Sequence, residues 1–249
     1  MRYYVVADVH GFYTPMVDAL RSAGFFDDPQ PHKLIILGDL FDRGHEALAM
    51  QSFVTDLIDR DAGILIRGNH EDLFEEFVTV DAGMPFSHHV SNGTYDTALQ
   101  LTGFDKIFTT IRHYDFAEAA RGTAFFNTII PSMVNYFETE HYVFVHGWIP
   151  CLRERNNYCY LGEWRNADDN LWRASRWING MAAFNSVYEN NKTIVCGHWH
   201  ASYGHAILEE HGSEFGADAD FHPFYGDGII ALDACTTVSG FVNCIVIDD

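Results

Sequence analysis

The chain has 249 residues, of which 47% are hydrophobic and 15% are aromatic, so it can bury a sizeable core. Its 15 Lys and Arg stand against 35 Asp and Glu, and the resulting net charge of −20 repels polyanions. A large nucleic-acid interface is therefore not expected. The 5 cysteines form no CxxC pair, which argues against a disulfide framework and against a structural zinc site.

The start of the chain bears on the compartment in which the protein works. Met1 leads directly into the strand-like segment Tyr3–Ala7, without a charged leader or a cleavable apolar segment. No window reaches the ~18 uninterrupted apolar residues of a membrane span. We therefore expect a cytoplasmic protein with no membrane partner, and the sequence leaves its oligomeric state open.

The first part of the chain alternates apolar strand patterns with amphipathic helix patterns. This rhythm predicts a parallel sheet that is buried on both faces. Thr14 followed by Pro15 is typical of the start of a helix. The predicted strands are Tyr3–Ala7, Lys33–Leu37 and Gly63–Ile66, and the predicted helices are Pro15–Ala23, His45–Arg60 and a third that begins near Asp72.

The rest of the chain departs from this rhythm and later returns to it. Residues 81–141 have a mixed aromatic, Gly and Thr content and predict a mostly helical cap, inserted into a single domain that spans residues 1–249. Residues 168–189 are expected to be helical, and the last two strands are expected to pair across the turn Thr236–Gly240. The strands predicted in this part are Tyr142–Val145, Thr193–Cys196, Gly228–Asp233 and Phe241–Ile247.

Short polar blocks follow several predicted strands at the point where each strand ends. Because the carboxyl ends of parallel strands open at the same edge of a sheet, these blocks should converge. Their carboxylate, imidazole and amide groups suit borderline divalent ions, and the absence of thiolates argues against a closed structural site. The blocks are Asp8-Val9-His10-Gly11, Gly38-Asp39-Leu40-Phe41-Asp42-Arg43-Gly44, Gly68-Asn69-His70-Glu71, His146-Gly147 and Gly197-His198-Trp199-His200.

In order and separation, the blocks resemble those of the calcineurin-like metallophosphoesterases. The GDxxDRG and GNHE segments are similar to those of the phosphoprotein phosphatase family, including bacterial and phage serine/threonine phosphatases. The resemblance implies a layered α/β sandwich with parallel-rich sheets, flanked by helices and carrying the helical cap insertion. It also implies direct attack on phosphorus by a hydroxide shared between two divalent metal ions, with Mn²⁺ expected first and Fe, Zn or Ni as alternatives.

The resemblance assigns most of these polar side chains to the two metal ions. Asp8 and His10 resemble ligands of the first ion, and Asp39 resembles the carboxylate that bridges both ions. His200 is the second histidine of a GHxH motif, which in many metallophosphoesterases completes the first metal site. The residues expected to bind the second ion are Asn69, His146 and His198.

Other residues of the blocks resemble the catalytic groups of the family. His70 resembles the proton donor to the leaving alcohol, with Asp42 as the carboxylate that orients it, and Arg43 resembles a phosphate clamp. The family also favours a second arginine clamp from the helix after His146, for which we expect Arg176 first and Arg173 second. As an alternative, these two arginines fit solvated charges on a helix.

The sequence departs from the phosphoprotein phosphatase pattern in ways that bear on the substrate. Ala7 replaces a common glycine, and the GHWH block is closer to general phosphoesterases. The leading expectation is hydrolysis of phosphoserine or phosphothreonine in proteins, or of a small phosphoester. Alternatives are a symmetrical dinucleoside polyphosphate (diadenosine tetraphosphate) hydrolase and a phosphodiesterase. A scaffold without catalysis is disfavoured, because His70 and every ligand position are filled.

Overall fold

The fold is given by a computed structural model, which describes residues 1–79, 86–104, 113–154 and 157–249. The alternation predicted for the first part of the chain is confirmed, although the third helix begins at Asn69 rather than near Asp72. The first helix ends where Gly24 takes a left-handed conformation at φ 89°, which costs little without a Cβ atom. The elements are β1 (Arg2–Val6), α1 (Tyr13–Ala23), β2 (His32–Leu37), α2 (Ala47–Asp59), β3 (Gly63–Ile66) and α3 (Asn69–Val78).

The described residues between 86 and 132 are largely helical, and they pack against the helices of the first part. The Phe125 ring lies 4.1 Å from Phe41 and 4.6 Å from Phe74, measured between ring centroids. Residues 81–85 and 105–112 of the expected cap lie outside the described residues, and its role as a cap stays a prediction. The elements are α4 (Phe86–Asn92), α5 (Thr94–Thr102), α6 (His113–Arg121), a π-helical turn (Phe125–Ile129) and α7 (Ile130–Ser132).

The second half of the chain forms a further sheet, a hairpin and several short helices. The strands Tyr142–Val145 and Thr193–Cys196 were predicted to within one residue, whereas the hairpin was not predicted. The elements are β4 (Phe137–Glu138), β5 (Tyr142–Phe144), β6 (Cys151–Glu154), β7 (Asn157–Tyr160), α8 (Asp169–Ser175), α9 (Gly180–Ala183), β8 (Thr193–Cys196), β9 (Phe224–Gly226), β10 (Ile229–Ala231), α10 (Thr236–Ser239) and β11 (Cys244–Asp248).

Two expectations for this half are wrong. The last two strands do not pair with each other: β10 lies parallel to β8, while β11 lies antiparallel to β1 in the other sheet. The apolar pattern of both segments allowed either partner, and α10 intervenes where a tight turn was expected. Residues 168–189 form two short helices, because α8 ends at Ser175 and Asn179 caps a new helix with its side chain.

Two sheets pack face to face in the order β11-β1-β2-β3 and β4-β5-β8-β10-β9. β1, β2 and β3 are parallel to each other, as are β5, β8 and β10. Buried side chains from both sheets, among them Val5, Ile35, Phe144 and Val195, form one cluster between them. The expected layered α/β sandwich with parallel-rich sheets is therefore confirmed. Among the described residues, no helix is both long and apolar enough to cross a membrane.

Candidate metal centre

The polar blocks follow strands of both sheets, and their side chains meet at one edge of the sandwich. Five of the six expected ligands that meet here are almost fully buried, with 4% or less of each residue exposed, whereas His198 is partly buried. The residues concerned are Asp8 and His10 after β1, Asp39 after β2, Asn69 after β3, His146 after β5 and His198 after β8. The convergence expected from the parallel strands is therefore present.

Strained backbone concentrates in these blocks. Most of the non-glycine residues with positive φ among the described residues lie here, at φ values between 47° and 73°. Each such residue costs free energy, of the order of 1–3 kcal/mol, that the surrounding fold must supply, and such strain is typical of functional sites. The residues are Asp8, His10, Asp39, Asp42, Arg43 and His198.

Two groups of side chains can each hold a metal ion, and they share Asp39. One group is His10, Asp39 and His70, and the other is Asp39, His146 and His198, with the ligand atoms of each group within 4.8 Å of one another. Oδ2 of Asp39 lies 3.8 Å from Nε2 of His10, whereas Oδ1 lies 3.4 Å from Nε2 of His146. The two oxygens of one carboxylate thus face different groups, which is the arrangement that a bridging ligand needs.

Hydrogen bonds orient the imidazoles of the two groups toward Asp39. His10 donates from Nδ1 to the Phe41 carbonyl at 3.0 Å, and His146 donates from Nδ1 to the Leu37 carbonyl at 2.7 Å. Because burial lowers the pKa of both imidazoles, each ring is neutral and keeps a lone pair on Nε2. Such a bond at the far nitrogen is the usual support of a metal-binding histidine.

Asn69 and His146 show most directly that a cation fits. Oδ1 of Asn69 lies 2.8 Å from Nε2 of His146, the ring atom that carries the lone pair. Two acceptor atoms therefore face each other without a proton between them. A divalent ion of the borderline class would be bound by both, because imidazole nitrogen and amide oxygen suit such ions.

Asp39 is held in place by its surroundings. Its Oδ1 accepts a hydrogen bond from the His70 backbone N–H at 3.0 Å. Burial raises the pKa of the carboxyl, but the charges that His146, His70 and His10 carry when protonated outweigh it and leave the pKa below the usual range. Gly68 is required here, because a Cβ atom at that position would lie 2.2 Å from Oδ1 of Asp39.

Asp8 and His200 are close to the centre, but they belong to neither donor group among the described residues. Both carboxylate oxygens of Asp8 accept from the His198 backbone N–H, at 3.0 and 2.9 Å. Nε2 of His200 bonds instead to Oε1 of Glu214 at 2.9 Å, and its ring stacks on Trp199. The ligand roles of Asp8 and His200 therefore stay predictions, and the geometry supports that of His200 least.

His70 and Asp42 form the pair that was expected for proton donation. Nδ1 of His70 donates to Oδ2 of Asp42 at 2.7 Å, and both residues are buried. Burial alone lowers the pKa of His70, but the carboxylates of Asp39 and Asp42 outweigh it and raise the pKa above its ordinary value. Arg43 is exposed, and its guanidinium nitrogens lie 3.1 Å from Nε2 of His10 and 3.2 Å from Nε2 of His70. Its guanidinium thus contacts two of the three side chains of the donor group His10, Asp39 and His70.

The helix α8 does not direct its arginines at the two donor groups. Arg176 donates to both oxygens of Asp72, at 2.9 and 2.6 Å, and to Oδ1 of Asn135 at 2.5 Å. Arg173 donates to Oε1 of Glu76 at 2.6 Å. Their expected role as phosphate clamps therefore stays a prediction, and in this structure acidic side chains occupy both guanidinium groups.

Several residues that support the centre were not predicted. Thr94 and Thr97 of α5 donate from Oγ1 to Oδ2 and Oδ1 of Asp42, each at 2.8 Å, so the helical segment fixes the partner of His70. No local pattern signals a contact across more than fifty residues. Asp233 is also buried beside the centre, where burial and Asp39 raise its pKa to about 6.

Glu71 joins two of the turns that carry the expected ligands. Its carboxylate accepts from the backbone N–H groups of Gly68 at 2.7 Å, Leu40 at 2.9 Å and Asp39 at 3.1 Å. The side chain is fully buried, and burial raises its pKa to about 7. These bonds join the turns that follow β2 and β3, so they set the position of Asp39 relative to Asn69.

Together, a parallel-rich α/β sandwich and two donor groups joined by one carboxylate define a metal-dependent phosphoesterase. The chain belongs to the calcineurin-like phosphoesterase family, whose sequence model it matches over residues 1–220. Dinuclear metal centres and phosphoester hydrolysis are the chemistry of this family.

Similar proteins differ in the substrates that their names state. The chain is 41% identical over 71 residues to a symmetrical bis(5'-nucleosyl)-tetraphosphatase of Thioalkalivibrio sulfidiphilus, which is 28% of this chain and 25% of that protein. It is 36% identical over 75 residues to serine/threonine-protein phosphatase 1 of Salmonella typhimurium, which is 28% of this chain and 30% of that protein. The chain therefore spans less than a third of these curated relatives.

A solved structure resembles the whole chain. The cold-active protein-tyrosine phosphatase of a psychrophilic Shewanella species aligns with a TM-score of 0.56 and 16% identity, over 100% of this chain and 75% of that chain. At this identity the likeness concerns the fold alone. The substrate has to be argued from the site.

Proposed function

We propose that the protein hydrolyses phosphomonoesters at a dinuclear metal centre, with phosphoserine or phosphothreonine in proteins as the leading substrate class. The observation that carries this proposal is the shared carboxylate of Asp39, with the His70–Asp42 pair directly beside it. The ligands would be Asp8, His10, Asp39, Asn69, His146 and His198, with His200 as the weakest candidate. When bound, the two ions would polarise the phosphoryl oxygens and activate water.

The residues of this chain then have separate tasks. His70 delivers a proton from Nε2 to the leaving oxygen, because its raised pKa keeps the imidazolium populated and Asp42 fixes the ring through Nδ1. Arg43 offers a planar fork that can pair with two phosphoryl oxygens. We propose Mn²⁺ as the ion, since nitrogen and oxygen donors accept it, although several first-row ions fit the same donor set.

A single exposed guanidinium next to the donor groups suits one phosphoryl group at a time. Among the described residues that were expected to bind phosphate, Arg43 contacts the donor groups while Arg173 and Arg176 contact carboxylates. This arrangement favours a phosphomonoester at the centre itself. A dinucleoside polyphosphate is a second candidate, because further arginines line a cavity whose wall includes Asp72, two residues after His70 in α3.

The test is a comparison of substrates on one preparation that has been stripped of metal and reconstituted with Mn²⁺. Turnover of a phosphoserine peptide, diadenosine tetraphosphate and a phosphodiester model ester would be measured under identical conditions. We expect the highest kcat/KM for the peptide. Preference for the dinucleotide would establish the second candidate instead, and a lack of turnover of all three would overturn the proposal.

A matched pair of variants separates catalysis from binding of metal. His70→Asn should lower kcat by about 10²–10⁴-fold, because the general acid is lost, while the metal content stays that of the unaltered protein. His205→Asn is the control, since His205 bonds to Glu209 and to the His222 carbonyl, away from the centre. A His70→Asn variant with full activity would remove this residue from the mechanism.

A further inference from the structure

A series of contacting aromatic rings includes the expected metal ligand His198. The ring centroid of His198 lies 5.8 Å from that of Trp177 and 6.1 Å from that of Trp199. Trp199 stacks on His200 at 5.6 Å, and His200 lies 4.6 Å from Phe215. We call Trp177, Trp199 and Phe215 the aromatic rim. Because His198 belongs to one donor group, the rim adjoins the place where a phosphoryl group would be held.

The two ends of this series are open to solvent. Trp177 is 50% exposed and Phe215 is 61% exposed, although large aromatic side chains usually bury most of their surface. Trp177 nevertheless has a fixed backbone, because its N–H donates to the Ala174 carbonyl at 3.2 Å. Both rings are therefore available to the part of a substrate that extends beyond its phosphate.

The loop that carries Phe215 is acidic. Residues 209–220 contain no Lys or Arg, in a chain with a net charge of −20, so the rim lies in a negative potential. Glu214 contacts the rim directly, because its Oε1 accepts from Nε1 of Trp199 at 3.3 Å and lies 2.9 Å from Nε2 of His200. The carboxylates of this loop are those of Glu209, Glu210, Glu214, Asp218 and Asp220.

Aromatic faces beside carboxylates fit a cationic side chain. A guanidinium or ammonium group is attracted by the negative face of an aromatic ring, and most strongly by that of tryptophan. The acidic loop adds to this attraction, whereas it repels the additional phosphates of a dinucleoside polyphosphate. An uncharged aromatic group would stack on the rings but would gain nothing from the carboxylates. The rim therefore suits a basic side chain better than a nucleobase.

We propose that the aromatic rim binds an arginine or lysine side chain of the substrate, close in sequence to the phosphorylated residue. This assignment rests on the proposed function, because it takes a phosphopeptide as the substrate. Arg43 then contacts the phosphoryl group, while Trp177 and Phe215 contact the basic side chain. An extended peptide advances about 3.3–3.6 Å per residue, so a ring 5.8 Å from His198 is within reach of a residue one to three positions away.

The kinetic test uses the Mn²⁺-loaded full chain and phosphoserine peptides of equal length that differ at one position. Arginine, norleucine, phenylalanine or glutamate is placed one to three residues from the phosphoserine, on either side. We expect kcat/KM to be highest with arginine and lowest with glutamate. In Trp177→Leu/Phe215→Leu, the ratio of kcat/KM for the arginine peptide to that for the norleucine peptide should fall about two- to fivefold, the size of a cation–π contact at an exposed site.

Tyr188→Leu is the matched control, because it removes a ring that is 54% exposed from another part of the surface. Tyr188 lines a cavity together with Tyr142, which begins β5, whereas His146 follows the end of that strand. This variant should keep the ratio of the unaltered protein. An unchanged ratio in the double variant would overturn the proposal, even if salt removes the arginine preference, because the field of the whole protein would then explain it. Preference for phenylalanine over arginine would also overturn it.

A binding measurement that needs no catalysis separates this proposal from the proposed function. Protein labelled with ¹⁵N in its indoles is titrated with unphosphorylated arginine and norleucine peptides, and the Trp177 signal is identified by its loss in Trp177→Leu. We expect a saturable shift of that signal with the arginine peptide alone. Such a shift without hydrolysis of any phosphoserine peptide would defeat the proposed function and leave this proposal standing. Hydrolysis without a shift, or without a preference for arginine, would defeat this proposal and leave the proposed function standing.

Discussion

The metal centre and a second group of side chains are both charged clusters, but they balance their charges in opposite ways. The second group is the arginine cluster, formed by four arginines that line one cavity: Arg67, Arg165, Arg173 and Arg176. At the metal centre, burial and neighbouring carboxylates raise the pKa of Asp8 above its usual range and that of Asp233 to about 6. Beside the arginine cluster, Arg165 and Lys192 lower the pKa of Glu138 to about 2. At the metal centre, Asp8 and Asp233 thus disfavour their negative charge although Asp39 does not, whereas the arginine cluster stabilises the charge of Glu138.

This difference indicates whether a bound ion would stabilise each cluster. Carboxylates buried together at the metal centre repel each other, so added cations would stabilise them. The carboxylates at the cavity already have guanidinium partners, so that region keeps its shape without a ligand. We therefore expect a metal ion to stabilise the first cluster, whereas the second cluster needs no ligand to balance its charges.

The largest effect is expected from Asp39→Asn. Removing the charge that faces both donor groups should weaken both metal sites and abolish turnover, because each group loses its carboxylate. Metal content by elemental analysis and hydrolysis of p-nitrophenyl phosphate check this result. Asp59→Asn, an exposed change at the end of α2, should leave both unaltered. Full activity of Asp39→Asn would defeat the assignment.

In the arginine cluster, we expect a substitution to lower the stability of the fold and to leave the metal content unchanged. Asp72→Asn leaves the buried guanidinium of Arg176 without its charged partner, which should lower the free energy of unfolding by about 3–5 kcal/mol. Asp169→Asn removes an exposed carboxylate from the wall of the same cavity and should cost less than about 0.5 kcal/mol. Urea denaturation of both variants checks the pair. Equal free energies of unfolding for the two variants would contradict a stabilising role of the buried Arg176–Asp72 ion pair.

An intermediate effect is expected where the helical segment meets the metal centre. Asp42→Asn removes the acceptor that orients His70, and kcat should fall by about 10–100-fold while the metal content is retained. Thr94→Val deletes one of the bonds that fix Asp42 and should have a smaller effect in the same direction. Steady-state kinetics with p-nitrophenyl phosphate measures both. Loss of metal in Asp42→Asn would mean that His70 is a ligand rather than a proton donor.

The sequence predicted the part of the site that depends on short blocks after parallel strands. His10, Asp39 and Asn69 each follow a buried strand, and the common edge of a parallel sheet brings them together. The same reasoning located His146 and His198, although they belong to the other sheet. Predictions of this kind need only strand direction and the position of a residue in its block.

Residues whose partners lie far away in sequence could not be placed in this manner. His200 bonds to Glu214 in a loop that no pattern linked to the GHWH block, and Arg176 contacts Asp72 across 104 residues. The pairing of β11 with β1 was missed for the same reason, because an apolar strand pattern does not specify its neighbour. Local patterns thus determine which residues carry chemistry, while tertiary contacts decide where each side chain points.

The smallest expected effect tests the ion pairs of Glu138 with Arg165 and Lys192 through pH. Because the folded pKa of Glu138 is about 2 and an unfolded glutamate has a pKa of about 4.3, this group contributes stability above pH ~4.3. That contribution is lost as the pH falls toward 2. Glu138→Gln should therefore lower the melting temperature at pH 6 and have little effect at the acid end. Melting curves of both proteins across this range check the sign, and a difference that grows toward low pH would contradict the pairing of Glu138 with Arg165.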